Sequence, residues 1–259
     1  MSPMPSPPPI SQEPLRIDIC KDAEDLARHA AGLVVAQASR ALGARRQFAI
    51  ALAGGATPKR LYSLLTQDHY AYQVVWPAAQ VYFGDERCVP PDDPKSNYGA
   101  VREILLTGLR VPESNIHRMR GEDDPPAAAA AYEQELRAGF VDTPRFDLVL
   151  LGMGSDGHTA SLFPGSPALS ETERLVAATR DSEGLDRITL TLPVINAAHT
   201  VAVLVSGREK AAMLRRVLGA EARPEGFPIQ QVKPAGGQLI WVIDEAASSL
   251  LDPPAAPQA

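Results

Sequence analysis

Cysteine is scarce in this sequence: Cys20 and Cys88 are the only two, with no C-x-x-C pair and no Cys/His cluster at zinc-ligand spacing. Neither a disulfide framework nor a structural metal site is indicated, and both thiols are expected to be reduced in a cytosol. No apolar run is long enough to span a bilayer, and the opening Met1-Ser2-Pro3-Met4-Pro5-Ser6-Pro7-Pro8-Pro9 carries neither a basic n-region nor an apolar h-region. The expectation is a cytoplasmic protein, neither exported nor membrane-bound. Positive charge is also in deficit. A formal net charge of -6 argues against a nucleic-acid surface, which needs a basic stripe, so an anionic ligand must be met by a few local cations. No repeat at solenoid periods and no G-x-S-x-G elbow occurs, which leaves solenoids and serine hydrolases without support.

What is present is 259 residues at 45% hydrophobic content, enough for a sizeable core and read as one domain over residues 15–251. Residues 1–14 are a Pro/Ser-rich tail expected to be disordered, and residues 252–259 are read as a flexible C-terminal tail. Between them, apolar runs at Leu15–Cys20, Phe48–Ala53, Gln80–Phe83, Phe146–Leu151, Ile188–Leu192, Thr200–Val205 and Leu239–Ile243 read as strands alternating with helical patterns. That alternation predicts an α/β fold with a largely parallel sheet and helices on both faces. Asp22 is expected to cap a helix that stops at Gly43, and Thr57-Pro58 and Asp124-Pro125 to open two more. In such a sheet the ligand site lies beyond the carboxyl ends of the strands.

Four strand-end loops carry candidate chemistry. In Ala53-Gly54-Gly55-Ala56-Thr57-Pro58, the glycines admit close backbone approach and a helix N-terminus offers free N–H groups to a phosphate; an ordinary βα turn is the competing reading. It is not a Walker A loop. Gly84-Asp85-Glu86-Arg87-Cys88-Val89-Pro90, continuing to Ser96-Asn97-Tyr98, is either a solvated turn or a place where Arg87 forks onto an anion. Gly152-Met153-Gly154-Ser155-Asp156-Gly157-His158-Thr159-Ala160-Ser161-Leu162-Phe163-Pro164-Gly165-Ser166 follows a strand, and its first six residues match G-x-G-x-x-G. However, Pro164-Gly165 would cut the following helix short, and no ribose-binding acid follows at the usual distance, so a dinucleotide is not expected. The loop instead presents Asp156 with His158, the one histidine of five set among glycines at a strand end. An imidazole, with an ordinary pKa of about 6.5, suits a general base at cellular pH. Ser206-Gly207-Arg208-Glu209-Lys210 reads as a helix start capped by Ser206, with Lys210 one turn in. Arg187 faces either the same pocket or solvent.

In this order the four loops resemble the 6-phosphogluconolactonases over about Leu15 to Ala247. The resemblance implies a modified Rossmann-like three-layer fold and hydrolysis of 6-phospho-D-glucono-1,5-lactone in the pentose phosphate pathway. It also implies phosphate held by the glycine loop (Gly54, Gly55, Thr57), Arg87, Arg187 and Lys210, with Ser206 beside them, and water activated by His158. Lactone hydrolysis needs a base for water and a proton for the departing ring oxygen, roles one histidine can fill in turn, oriented by Asp156 or by Asp85. No metal or organic cofactor is called for. The partner is a small sugar-phosphate lactone, with no nucleic acid or membrane, and the chain is a monomer or small homo-oligomer. Glucosamine-6-phosphate deaminase/isomerase is the alternative, similar at Asp85, Asp156-Gly157-His158 and Pro164-Gly165-Ser166. That family carries Asn-Glu before the proline, where this chain has Leu162-Phe163. A non-catalytic sugar-phosphate sensor is the third reading.

Overall fold

The computed structural model describes residues 15–219 and 226–251. The tails expected at 1–14 and 252–259 lie outside the described residues. Six strands form a parallel sheet: β1 (Leu15–Cys20), β2 (Phe48–Leu52), β3 (Ala79–Phe83), β5 (Leu148–Gly152), β8 (Thr200–Val205) and β9 (Gln238–Asp244), in the order β1-β9-β8-β5-β2-β3. A second sheet of β4 (Asp85–Arg87), β6 (Val176–Arg180) and β7 (Asp186–Leu190) is antiparallel, in the order β4-β7-β6.

Alternating side chains of the parallel strands feed two cores, as the pleat requires. On one face Ile50, Leu52, Leu148, Leu150, Leu204 and Val242 pack against helices α1 (Ala23–Arg45) and α2 (Ala56–Leu65). On the other, Ala51, Tyr82, Val149, Leu151, Val203 and Ile243 meet Tyr132, Leu136, Leu214 and Val217 of helices Pro125–Gly139 and Ala211–Leu218. Each fully buried aliphatic side chain contributes roughly 1.5–3 kcal/mol, which is why β2 and β8, buried at every position, read as apolar runs, broken only by Thr200 at the start of β8. The three-layer α/β architecture expected from the sequence is the one observed.

Several local expectations are corrected. The run at Ile188–Leu192 ends as a strand at Leu190; it belongs to the small antiparallel sheet, and Leu192–Asn196 is a helix with Pro193 in its first turn. Asp85–Arg87 is strand rather than loop, paired with Arg187–Thr189. Helix α1 starts at the Asp22 cap as expected, yet passes Gly43 and stops at Arg46, which takes the left-handed conformation at φ 60. Thr57 does not cap α2. Gly55, at φ 97, holds the cap position, and Pro58 is accommodated because first-turn N–H groups have no helical partner. Asp124 caps its helix by accepting from the Ala127 N–H.

Two buried tyrosines fix the strand ends from which the site loops leave. The Ala53 N–H donates to the Tyr62 hydroxyl at 3.0 Å, and that hydroxyl donates to the Ala53 carbonyl at 2.7 Å. Tyr132 accepts from the Phe83 N–H at 3.0 Å in the same manner. Gly84 then joins the sheets: its N–H donates to the Leu52 carbonyl and its own carbonyl accepts from Leu190, each at 2.8 Å.

Candidate active site

A cleft of about 710 Å³ opens at the carboxyl ends of β2, β5 and β8, walled on one side by the small sheet. Gly54, Gly55, Thr57, Asp85, Arg87, Asp156, His158, Arg187, Ser206 and Lys210 all line it. The sequence-derived candidates therefore meet in one place, but they do different things there.

His158 sits in the loop after β5 with its Nδ1 2.5 Å from Asp156 Oδ1, which also accepts the His158 backbone N–H at 3.1 Å. Burial opposes ionisation of Asp156, but the His158 N–H and ring outweigh it and hold the carboxyl below its ordinary value. The bond leaves His158 Nε2 for the cleft. Gly154 makes this geometry possible: a Cβ there would lie 2.1 Å from His158 Nδ1. Gly157, at φ 80, turns the chain beneath, packed on Phe227 and accepting from the Ile229 N–H at 3.1 Å. The Phe163 ring stands 4.9 Å from the imidazole, centroid to centroid.

Asp85 forms no hydrogen bond with His158, whose carboxylate partner is Asp156. Asp85 is buried, and its carboxylate accepts from Ser161 Oγ at 2.7 Å and from Asn97 Nδ2 at 3.1 Å. It thus ties β4 to the β5 loop and to the segment that covers Gly54, where a Cβ would fall 1.9 Å from Asn97 Oδ1. Its neighbour Glu86 is also buried. Burial pushes its carboxyl up, against the pull of the backbone N–H groups of Tyr98, Asn97 and Arg87, which donate to it at 2.7–2.8 Å together with Ser96 Oγ at 3.0 Å.

The cations differ in freedom. Arg87 and Arg187 are register partners across β4 and β7. Arg87 Nη1 donates to the Lys95 carbonyl at 2.7 Å, while its buried Nε has no hydrogen-bond partner. Arg187 is held by Asp181, at 3.1 Å from Nε and 2.6 Å from Nη2. Lys210 ends the short Arg208–Lys210 turn and forms no ion pair among the described residues. Ser206 is not a helix cap as expected: Gly207 holds that position, and Ser206 Oγ donates to Asp244, which also accepts the Gly207 N–H at 3.1 Å. Ser206 thereby anchors the loop that carries Lys210.

Sequence reasoning gave no role to Asn97, Ser161, Asp181 or Asp244. The first two lay inside quoted motifs, and their partnership with Asp85 arises only from folding. Among the described residues no cluster of three or more His, Cys, Asp or Glu side chains is placed to hold a metal ion, and no helix is long and apolar enough to cross a membrane.

Fold and site together define a three-layer α/β protein with a cleft at its strand ends, lined by Arg87, Arg187 and Lys210 and holding a carboxylate-paired histidine. The chain belongs to the glucosamine-6-phosphate isomerase/6-phosphogluconolactonase family, whose model matches residues 21–241. It is 39% identical over 243 residues to a 6-phosphogluconolactonase of Synechocystis sp., covering 92% of this chain and 99% of that protein. It is 40% identical over 250 residues to the human 6-phosphogluconolactonase, covering 92% and 94%. Among solved structures, 6-phosphogluconolactonase from Trypanosoma brucei superposes with a TM-score of 0.82 at 30% identity, covering 93% of this chain and all of that one.

Proposed function

We propose that this chain hydrolyses 6-phospho-D-glucono-1,5-lactone to 6-phospho-D-gluconate, the lactonase step of the pentose phosphate pathway. The observation that carries the reading is a carboxylate-paired imidazole sharing one cleft with Arg87 and Lys210. Relatives of this name, matched over nearly their full lengths, support the same reaction. The phosphate lies against the α2 N-terminus at Gly54, Gly55 and Thr57, with Arg87, the free end of Arg187 and Lys210 around it. In the proposed pose the ring carbonyl faces His158. Asp156 accepts the Nδ1–H, so Nε2 takes a proton from water as the water oxygen attacks the lactone carbonyl carbon. The tetrahedral adduct collapses by breaking the bond to the ring oxygen, which receives that proton from His158 and becomes a hydroxyl. Asp85 positions Ser161 and Asn97 rather than the base.

The deaminase alternative has less support, because the side chain over His158 is Phe163 and not a carboxylate that could move protons between adjacent carbons. Cys20 and Cys88 are free thiols, which supports a cytoplasmic setting. The test adds the protein to freshly made 6-phosphogluconolactone and follows 6-phosphogluconate with a coupled dehydrogenase, subtracting spontaneous hydrolysis. Turnover above that background is expected, with no ammonia released from glucosamine 6-phosphate; ammonia at a rate comparable to lactone turnover would reverse the assignment.

A further inference from the structure

The two edges of the parallel sheet are finished differently. At β3 the edge is covered: the segment after it bridges Val81 to Ile116, and the His117 N–H donates to the Val81 carbonyl at 2.8 Å. At β1 the strand pairs with β9 alone, and no other described segment hydrogen-bonds to its outer edge. An open edge is a template for another strand, which proteins usually blunt with proline, a bulge or inward charge.

β1 also exposes apolar side chains. Leu15, Ile17 and Ile19 are 48%, 43% and 54% exposed, and no other strand among the described residues presents such a row. They occupy one face. Arg16, Asp18 and Cys20 occupy the other, where Asp18 Oδ2 lies 2.7 Å from His29 Nε2 of α1 and Asp18 Oδ1 accepts from Arg16 Nε at 2.6 Å.

The sequence Leu15-Arg16-Ile17-Asp18-Ile19 is self-complementary about its centre. In an antiparallel pair with a two-fold axis at Ile17, Leu15 faces Ile19 of the second copy, Ile17 faces Ile17, and Arg16 faces Asp18 of the second copy. Every cross-strand pair is then apolar with apolar or basic with acidic, and the symmetry makes the Leu15–Ile19 and Arg16–Asp18 pairs twice, with Ile17–Ile17 once on the axis. Parallel pairing in register would set like charges opposite each other instead. We propose that β1 is a homodimerisation edge, through which two copies pair antiparallel about Ile17 and join their six-stranded sheets into one continuous sheet.

Sedimentation velocity on the full chain over a micromolar concentration series tests this. Wild-type protein should sediment as a dimer. Arg16→Asp sets acid against acid at both ends of the axis, and Asp18→Arg sets base against base, so each variant alone should weaken association by about tenfold or more. An equimolar mixture of the two should recover the dimer, because each strand again meets its opposite charge. Ile17→Lys, an exposed change that leaves the α1 contacts untouched, should give monomer with wild-type circular dichroism, and it carries the test if a charge variant fails to fold. A monomeric wild type would overturn the proposal; if deletion of residues 1–14 then released a dimer, the chain's own N-terminal segment would be the occupant of this edge. A dimer indifferent to all three substitutions would place the interface elsewhere.

Discussion

The two sheets of this molecule rest on different physics. The parallel sheet is held by burial: β2, and β8 from Val201 onward, present apolar side chains to both cores at every position. The β4 edge of the small sheet is held by polar exchange, while Val176, Ile188 and Leu190 of β6 and β7 join the second core. β4 is three charged residues, two of them buried carboxylates whose oxygens are occupied by donors from the Arg87–Tyr98 segment and from Ser161. Apolar burial thus decides where the strand ends stand, while the polar network decides where the cations of the cleft point. Scaffold and reading surface can therefore fail separately.

Their largest expected separation is at His158, on a parallel-sheet loop. His158→Ala should lower kcat by roughly 10²-fold or more, the usual scale for a lost general base, with little change in KM or in unfolding midpoint. A folded variant with near-full turnover in the coupled assay would remove the base assignment. Next is Glu86→Ala in the small sheet, which strands the N–H groups of Arg87, Asn97 and Tyr98 and the Ser96 hydroxyl. Urea unfolding should show a loss of about 3 kcal/mol, the scale of a broken buried charge network, and KM should rise as Arg87 and Asn97 lose their seat. An unchanged KM would mean that this carboxylate does not position the cleft.

The smallest effect concerns pH. Because the folded Asp156 carboxyl is held below its ordinary 3.8, its interaction with the His158 loop is fully present above that value. It is lost only as pH falls through the lower folded one. The unfolding midpoints of wild type and Asp156→Asn should therefore differ by a constant amount from neutrality down to about pH 4 and converge below it. A gap that closes near neutrality would assign the linkage to another group.

The inner parallel strands were legible because a strand buried on both faces is written as a short continuous apolar run, whereas β1 shows as Leu15, Ile17 and Ile19 alternating with Arg16 and Asp18. β4 and β6 were not, since Asp85-Glu86-Arg87 and Val176-Ala177-Ala178-Thr179-Arg180 have neither such a run nor clean alternation. Asp22 and Asp124 were readable as caps because capping is local. Thr57 and Ser206 misled for a shared reason: a glycine one or two positions away takes the cap position at positive φ. His158 with Asp156 could be read from adjacent letters, whereas Asp85 with Ser161 and Ser206 with Asp244 are separated by 76 and 38 residues. Arg187 was placed at the cleft, but its engagement with Asp181 depends on the turn between β6 and β7, which the sequence does not announce.

The central claim is that chemistry belongs to the β5 loop and phosphate reading to the cations around it. The most direct test is the ratio of kcat/KM for 6-phosphogluconolactone to that for the unphosphorylated lactone, measured in wild type and Arg87→Ala. The phosphorylated substrate should lose about 1.5–3 kcal/mol of transition-state binding, chiefly through KM, while the unphosphorylated lactone changes little, so the ratio collapses. Equal losses on both lactones, with the ratio preserved, would contradict the account.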